Sequence, residues 1–207
     1  MNALSGLILA AGFSSRMGES KPLLQWFDDT LIEFQIKLFN SLGIKPVVVL
    51  GFESDIVLSK IKNSNAEFVV NQDYKKGKST SILKGLSCVD KNNNILLISV
   101  DQPRPKIMLD KIIKSHNDSR SLITIPKYKS KNGDLRGGHP IILDNKIIPG
   151  LSEYILKGKT MKEFIISQYD VNEIEFDDIL IRLDLNIKDD YFKALKLFEK
   201  YVNNGKN

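Results

Sequence analysis

Short unbroken apolar runs alternate with helical stripes along most of this chain. Leu7, Ile8, Leu9, Ala10 and Ala11 form the first run, as expected of a strand buried on both faces. Residues 46–51 (PVVVLG), 66–71 (AEFVVN), 95–100 (ILLISV) and 121–125 predict further strands. Leu31, Phe34, Leu38 and Leu42 recur at helical spacing, with Asp29 or Thr30 as N-cap and Gly43 as the stop. Residues 54–61 and 105–116 also read as helices, with His116 near the exposed end of the second. Gly77 breaks the chain, after which Ser79 is placed to cap a helix whose apolar side is Ile82, Leu83 and Leu86. Strands and helices in alternation predict a parallel doubly wound sheet, and ligands of such sheets bind beyond the carboxyl ends of the strands.

The second half is less regular. Residues 127–138 are polar, contain three glycines and read as a binding loop or mobile lid. Residues 146–166 hold helical segments broken at Gly150 and Gly158. Residues 171–176 and 179–183 look like two strands joined by a turn at Asp177 and Asp178. An amphipathic helix over 191–202 closes the chain, and 203–207 form a frayed tail. The expected architecture is α/β: a single three-layer doubly wound domain over residues 1–207, with a mostly parallel central sheet.

Composition narrows the function classes. The 207 residues carry a net charge of +5, but the lysines are dispersed. Clusters such as Lys75, Lys76 and Lys78 have no interleaved stacking aromatics, so no nucleic-acid partner is expected. No run is long enough to span a membrane, and no separate signal-peptide region precedes the first strand. The lone cysteine, Cys88, excludes an internal disulfide framework, fits a reducing cytoplasm and reads as a small buried helix residue.

The candidate chemistry begins where the first strand ends. Gly12 leads a polar loop carrying Ser14, Ser15, Arg16 and Lys21. Glycine admits phosphate oxygens to backbone N–H groups, and the two cations neutralise phosphate charge, although an ordinary solvated loop has the same local pattern. Gly18 is followed by Glu19 and Ser20, which rules out a Walker A loop, and Gly12 and Gly18 are not in GxGxxG spacing. Asp101, at the tip of the 95–100 run, suits a magnesium ligand and equally suits a turn with Pro103. His139 has no zinc-site spacing around it and reads as a base, a ligand or a turn residue.

The contiguous string LAAGFSSRMGESK (residues 9–21) resembles the LAAGxSxRMGxxK signature of the MobA-like nucleotidyltransferases, and within them the molybdenum cofactor cytidylyltransferase group. Further likenesses follow in family order: Asn71 with Gly77, Ser79 and Ser81; Asp101-Gln102-Pro103; Gly138-His139-Pro140; and residues 184–191, where Asn186 replaces a second aspartate. The resemblance implies a Rossmann-like nucleotidyltransferase transferring CMP from CTP to a molybdopterin-type cofactor, with pyrophosphate released and Mg²⁺ (or Mn²⁺) required. It implies Arg16, Lys21 and Asp101 as catalytic residues, and nucleotide contacts from Leu9, Ala10, Ala11, Gly12, Ser14, Ser15, Arg16, Lys21, Asn71, Gly77, Ser79 and Ser81. Asp101 with Asp184 or Asn186 would hold the metal, and Gly138 and His139 would meet the acceptor. Ala11 stands where the guanylyltransferase branch carries glycine. A GTP-dependent or sugar-phosphate transferase and a non-catalytic carrier of molybdenum cofactor remain the alternatives, and a molybdenum hydroxylase would be the recipient partner.

Overall fold

A computed structural model describes residues 3–13, 17–61 and 64–202. The strands of the first half are β1 (Leu4–Ala10), β2 (Gln25–Trp26), β3 (Asp29–Thr30), β4 (Pro46–Leu50), β5 (Glu67–Val70) and β6 (Asn94–Ser99). Those of the second half are β7 (Ile123–Lys129), β8 (Leu135–Gly137), β9 (Ile141–Leu143) and β10 (Val171–Phe176). The helices are α1 (Leu31–Ser41), α2 (Ser54–Lys60), α3 (Lys78–Leu86), α4 (Lys106–Ser119), α5 (Ile148–Leu156), α6 (Met161–Ile166) and α7 (Lys188–Val202).

One sheet runs in the order β10-β7-β9-β6-β1-β4-β5, with β8 paired to β7. The block β6-β1-β4-β5 is parallel throughout, whereas β9 pairs antiparallel with both β6 and β7. Period-2 alternation divides the central strands between two apolar cores. Ile8, Val48, Leu96 and Ile98 face one core with the buried sides of α1, α4 and α7. Leu7, Leu9, Val47, Val49, Ile95 and Leu97 face the other with α3, α5 and α6. Three layers follow directly, because strands apolar on both sides need cover on both. The chain builds β1, β4 and β5 outward in one direction, then returns to place β6 on the far side of β1. The carboxyl ends of β1 and β6 therefore meet at a reversal of strand order, where the outgoing chain leaves a crevice.

The helix over 31–41 is capped as expected. The Thr30 side chain accepts from Glu33 N–H and the Glu33 carboxylate accepts from Thr30 N–H, while Gly43 follows at φ 73°. Its buried face is broader than the predicted stripe, taking in Ile32, Ile36 and Phe39 and also the polar Gln35.

Several expectations change. Gly77, at φ 108°, is the N-cap of α3, so Ser79 lies inside the first turn. Cys88 lies just beyond the end of α3 and is half-buried. His116 is buried, with Nδ1 2.9 Å from Thr124 Oγ1 and Nε2 3.1 Å from Asn94 Nδ2. Residues 127–138 are mostly hairpin, because β7 continues to Lys129 and pairs with β8 around a turn at Gly133. Gly150 sits in the first turn of α5, where a helix tolerates it, and does not break it. Residues 179–181 form a 3₁₀ turn, since the Asp178 carboxylate accepts from Leu180 N–H and both Leu180 and Ile181 bury in one core. The closing helix begins earlier, at Lys188, and the tail at 203–207 lies outside the described residues. No described helix is long and apolar enough to cross a membrane.

Gly51 ends β4 against the turn after β1. A Cβ there would meet Tyr74 Cβ at 2.7 Å, Ala11 Cβ at 2.8 Å and Ala11 O at 2.9 Å. Because two of these atoms belong to Ala11, relief has to displace the turn itself. Gly51→Ala is expected to destabilise the fold by about 1–3 kcal/mol. Urea unfolding with a midpoint equal to wild type would show that this contact is soft.

Candidate active site

The reversal of strand order opens into a cavity of about 460 Å³. Its floor is Leu9, Ala10, Ala11 and Gly12 from the end of β1, and Ser99, Val100 and Asp101 from the end of β6. Val100 N–H donates to Leu9 O at 2.8 Å, which holds the two strand ends together past the last ladder pair. Gln35 of α1 donates from Nε2 to Val100 O at 2.7 Å and Ser99 O at 3.2 Å. Among the described residues nothing lies within 4 Å of where a Gly12 Cβ would sit, so the backbone there is open to a ligand.

Lys21 reaches the cavity from the turn after the loop, with Nζ 2.8 Å from Asp101 Oδ2 and 3.3 Å from Asn186 Oδ1. Asp184 is set by other donors: Gln102 Nε2 donates to its Oδ1 at 3.0 Å, and Arg104 Nη2 lies 3.6 Å from the same oxygen. Burial, with Asp101 nearby, raises the Asp184 carboxyl against the pull of Arg104. Asp190 accepts from the N–H groups of Asn186 and Ile187, each at 3.2 Å, and so fixes Asn186 at the start of α7. Two oxygen-bearing side chains from distant parts of the chain, Asp101 and Asn186, thus meet on one ammonium.

Arg104 organises this gathering. Its side chain is fully buried between Pro103 and Pro105. Nη1 donates to Pro103 O at 2.9 Å and Leu183 O at 2.7 Å, while Nε donates to His139 O at 3.0 Å. Burial lowers its pKa to about 10, with Asp184 and Asp101 opposing the fall, so it stays charged at neutral pH. Leu185 N–H also donates to Asp101 O at 2.8 Å. The Asp101, His139 and Asp184 segments are therefore fastened to one another.

The remaining predicted residues divide between two sides. Gly77 and Ser81 line the nucleotide-sized cavity. Asn71 is buried behind it, donating from Nδ2 to Thr80 Oγ1 and Ser81 Oγ at 2.9 Å each and accepting from Asp73 N–H at 3.0 Å. Ser79 lines a second cavity, of about 650 Å³, together with Gly138 and His139. Gly138 packs against Ile181, whose carbonyl leaves no room for a Cβ, and His139 N–H donates to Ile181 O at 3.1 Å. Burial, with the charges of Lys78 and Arg104, lowers the His139 ring to about pKa 3. Ser14, Ser15 and Arg16 lie outside the described residues.

Residues that the sequence reading did not single out complete the walls. Phe13 and Tyr74, ring centroids 5.2 Å apart, flank the first cavity, and Lys75 and Lys78 add positive charge to it. Arg136, Lys127, Lys162 and Arg182 line the second with Ile82, Ile125, Ile141 and Met161. Among the described residues no group of three or more His, Cys, Asp or Glu forms a metal cage. A magnesium site needs only one or two carboxylates, because water and phosphate supply its other oxygens.

A protein-family model of the MobA-like NTP transferase domain matches residues 6–172. The chain belongs to that family. The nicotine blue oxidoreductase of Paenarthrobacter nicotinovorans is 31% identical over 157 residues, 73% of this chain and 76% of that one. The molybdenum cofactor cytidylyltransferase of Escherichia coli K12 is 27% identical over 94% of this chain and 96% of its own. A probable molybdenum cofactor guanylyltransferase of Bacillus mycoides is 24% identical over 95% and 98% respectively. Among solved structures, a nucleotidyl transferase from Methanothermobacter superposes with TM-score 0.77 at 22% identity, covering 97% of this chain and 99% of that one. A manganese complex of Rv0371c from Mycobacterium tuberculosis superposes with TM-score 0.73 at 22% identity, covering 94% and 98%. This fold is that of Rossmann-like nucleotidyltransferases.

Arg104→Met would remove hydrogen bonds from three carbonyls and leave Asp184 with Gln102 alone, so a loss of about 3–5 kcal/mol is expected. A urea midpoint within error of wild type would refute the clamp. The His139 ring, neutral in the fold, would bind a proton in the unfolded chain below its ordinary value of 6.5. Stability contributed by the neutral ring is thus complete above that pH and is lost on acidification toward its folded pKa. The melting temperature of His139→Gln should fall less between pH 7 and pH 4 than that of wild type; parallel falls would contradict a neutral buried ring.

Proposed function

We propose that this protein is a divalent-metal-dependent nucleotidyltransferase that moves CMP from CTP to the terminal phosphate of a molybdopterin-type cofactor and releases pyrophosphate. The observation that carries the reading is the convergence of Asp101 Oδ2 and Asn186 Oδ1 on one cationic group, Lys21 Nζ, at the floor of the cavity between β1 and β6. A hard-oxygen pair that already accommodates positive charge beside an open glycine backbone suits Mg²⁺ or Mn²⁺ with phosphate. Asp101 would hold that ion with Asn186, Asp184 being engaged by Gln102 and Arg104. When bound, the metal would neutralise charge on the phosphate oxygens. The names of the Escherichia coli and Bacillus relatives, and the manganese complex of the Mycobacterium protein, support the same reading.

This chain's own groups then act by positioning and charge. Gly12 backbone and Lys21 receive the triphosphate, with Arg16 expected beside them. Phe13 and Tyr74 give the base an aromatic wall on which to stack. Ala11 lines the same cavity where the guanylyltransferase branch carries glycine, which favours CTP over GTP. The acceptor enters the second cavity past Gly138 and His139, whose cations and apolar patch suit an anionic ligand with a ring body. Its phosphate oxygen attacks the α-phosphorus, the bond to the bridging oxygen breaks, and pyrophosphate departs with the electron pair. The nucleophile is already ionised, so no general base is needed, in keeping with a neutral His139.

A second reading follows from the relative named as an oxidoreductase: a redox reaction in the same cavity, with a nicotinamide dinucleotide as the electron donor to be tested. Two assays separate them. Pyrophosphate release from CTP, GTP, ATP and UTP, with molybdopterin or sugar phosphates, supports transfer; oxidation of NADH or NADPH without pyrophosphate release supports the second. Asp101→Asn should lower turnover by about 10²–10³, as for removal of a charge-stabilising group, with the circular dichroism spectrum unchanged. Turnover within a factor of about two of wild type would remove Asp101 from the metal site.

A further inference from the structure

Among the described residues, the walls of the two cavities share a single side chain. Lys78, the first residue of α3, lines the cavity at the β1–β6 crevice and also the cavity that holds His139. Every other described residue lining one is absent from the other. Its charge acts on both sides: desolvation lowers the Lys78 ammonium below the usual lysine range, with Asp101 and Asp184 opposing the fall from the first cavity, and the ammonium adds to the burial that depresses the His139 ring in the second. No described group takes its Nζ in a hydrogen bond or ion pair, unlike Lys21, which Asp101 holds at 2.8 Å. Gly77, at φ 108°, sets the entry to the helix and thus the place from which Lys78 extends.

We infer that Lys78 is a further catalytic residue, whose ammonium bridges the α-phosphate of the donor and the phosphate of the acceptor. This rests on the transferase reading above. Two anions must approach each other for the new phosphorus–oxygen bond to form, and their repulsion opposes that approach. A cation shared by the two sites offsets the repulsion at the point of contact and keeps the attacking oxygen in line. The ammonium acts by charge and transfers no proton: the acceptor oxygen bonds to the α-phosphorus, the α–β bridging bond breaks, and pyrophosphate leaves with the electron pair. Lys21, held by Asp101 and absent from the second cavity, would serve the leaving group, so the two lysines have different duties.

Lys78→Met should lower kcat and raise KM for molybdopterin, reducing kcat/KM for that acceptor by about 10²–10³. The calorimetric Kd for CTP with Mg²⁺ should rise by no more than about tenfold, far less than kcat/KM falls, since Gly12 and Lys21 remain. Lys78→Arg should restore activity to within about tenfold of wild type, which a merely structural role would not explain. A second measurement needs no variant and no turnover. Pyridoxal 5′-phosphate, trapped on lysine by borohydride, should modify Lys78, and both CTP with Mg²⁺ and inorganic phosphate should protect it. Wild-type turnover with an unimpaired Lys78→Met enzyme would overturn the role of Lys78 while leaving the transferase reading intact. Absence of turnover with every nucleotide would overturn that reading instead. Labelling unaffected by both anions would deny Lys78 a place at either phosphate.

Discussion

One buried guanidinium ties together three parts of the chain that lie far apart in sequence. Arg104 binds the carbonyls of Pro103, His139 and Leu183, which lie 1, 35 and 79 residues away in sequence. Placing a charge in a fully buried position is costly unless acceptors surround it, and here they do. The flanking prolines restrict the backbone on either side and so spare part of the ordering cost. The result is that the carboxylate of Asp101, the turn at Gly138 and the Asp184–Asn186 segment cannot drift apart without exposing unpaired buried groups.

Much of the architecture was legible in the sequence because the central strands are apolar on both faces. Leu7–Ala11 and the 95–100 run left little choice but a sheet covered on each side, and the apolar-to-Asp transition at Val100–Asp101 marked the crevice. The second half was harder. The alternating polar residues of 127–137 pair across a hairpin at an exposed edge, where solvent removes the hydrophobic signal that periodicity depends on. The 179–181 turn has the apolar composition of a strand, and only the Asp178 cap distinguishes it.

The candidate site was legible where its residues follow a strand end and illegible where it depends on distant contact. Asp101 and Gly12 fall into the first class. Arg104 carried one signal, a charge enclosed by two prolines directly after a strand, but its partners are invisible along the chain. Gln35 announced itself only as a polar residue inside an apolar helix face, and Lys78 looked like one of several dispersed lysines. Asn71 was placed beside a nucleotide by resemblance, yet its side chain is occupied in ordering the Tyr74–Ser81 segment that forms the wall. A residue can belong to a site's framework while remaining behind it.

The separation of packing from chemistry in this sheet has an evolutionary consequence. The buried aliphatic positions of β1, β4 and β6 are committed to one of two cores, whereas the polar groups of the candidate site sit on turns beyond the strand ends and on the first turn of α3. Substitutions on those turns leave the cores untouched, so the scaffold can change its ligands without being rebuilt. Proteins bearing the names of a cytidylyltransferase, a guanylyltransferase and an oxidoreductase can thus descend from common stock at about a quarter to a third identity.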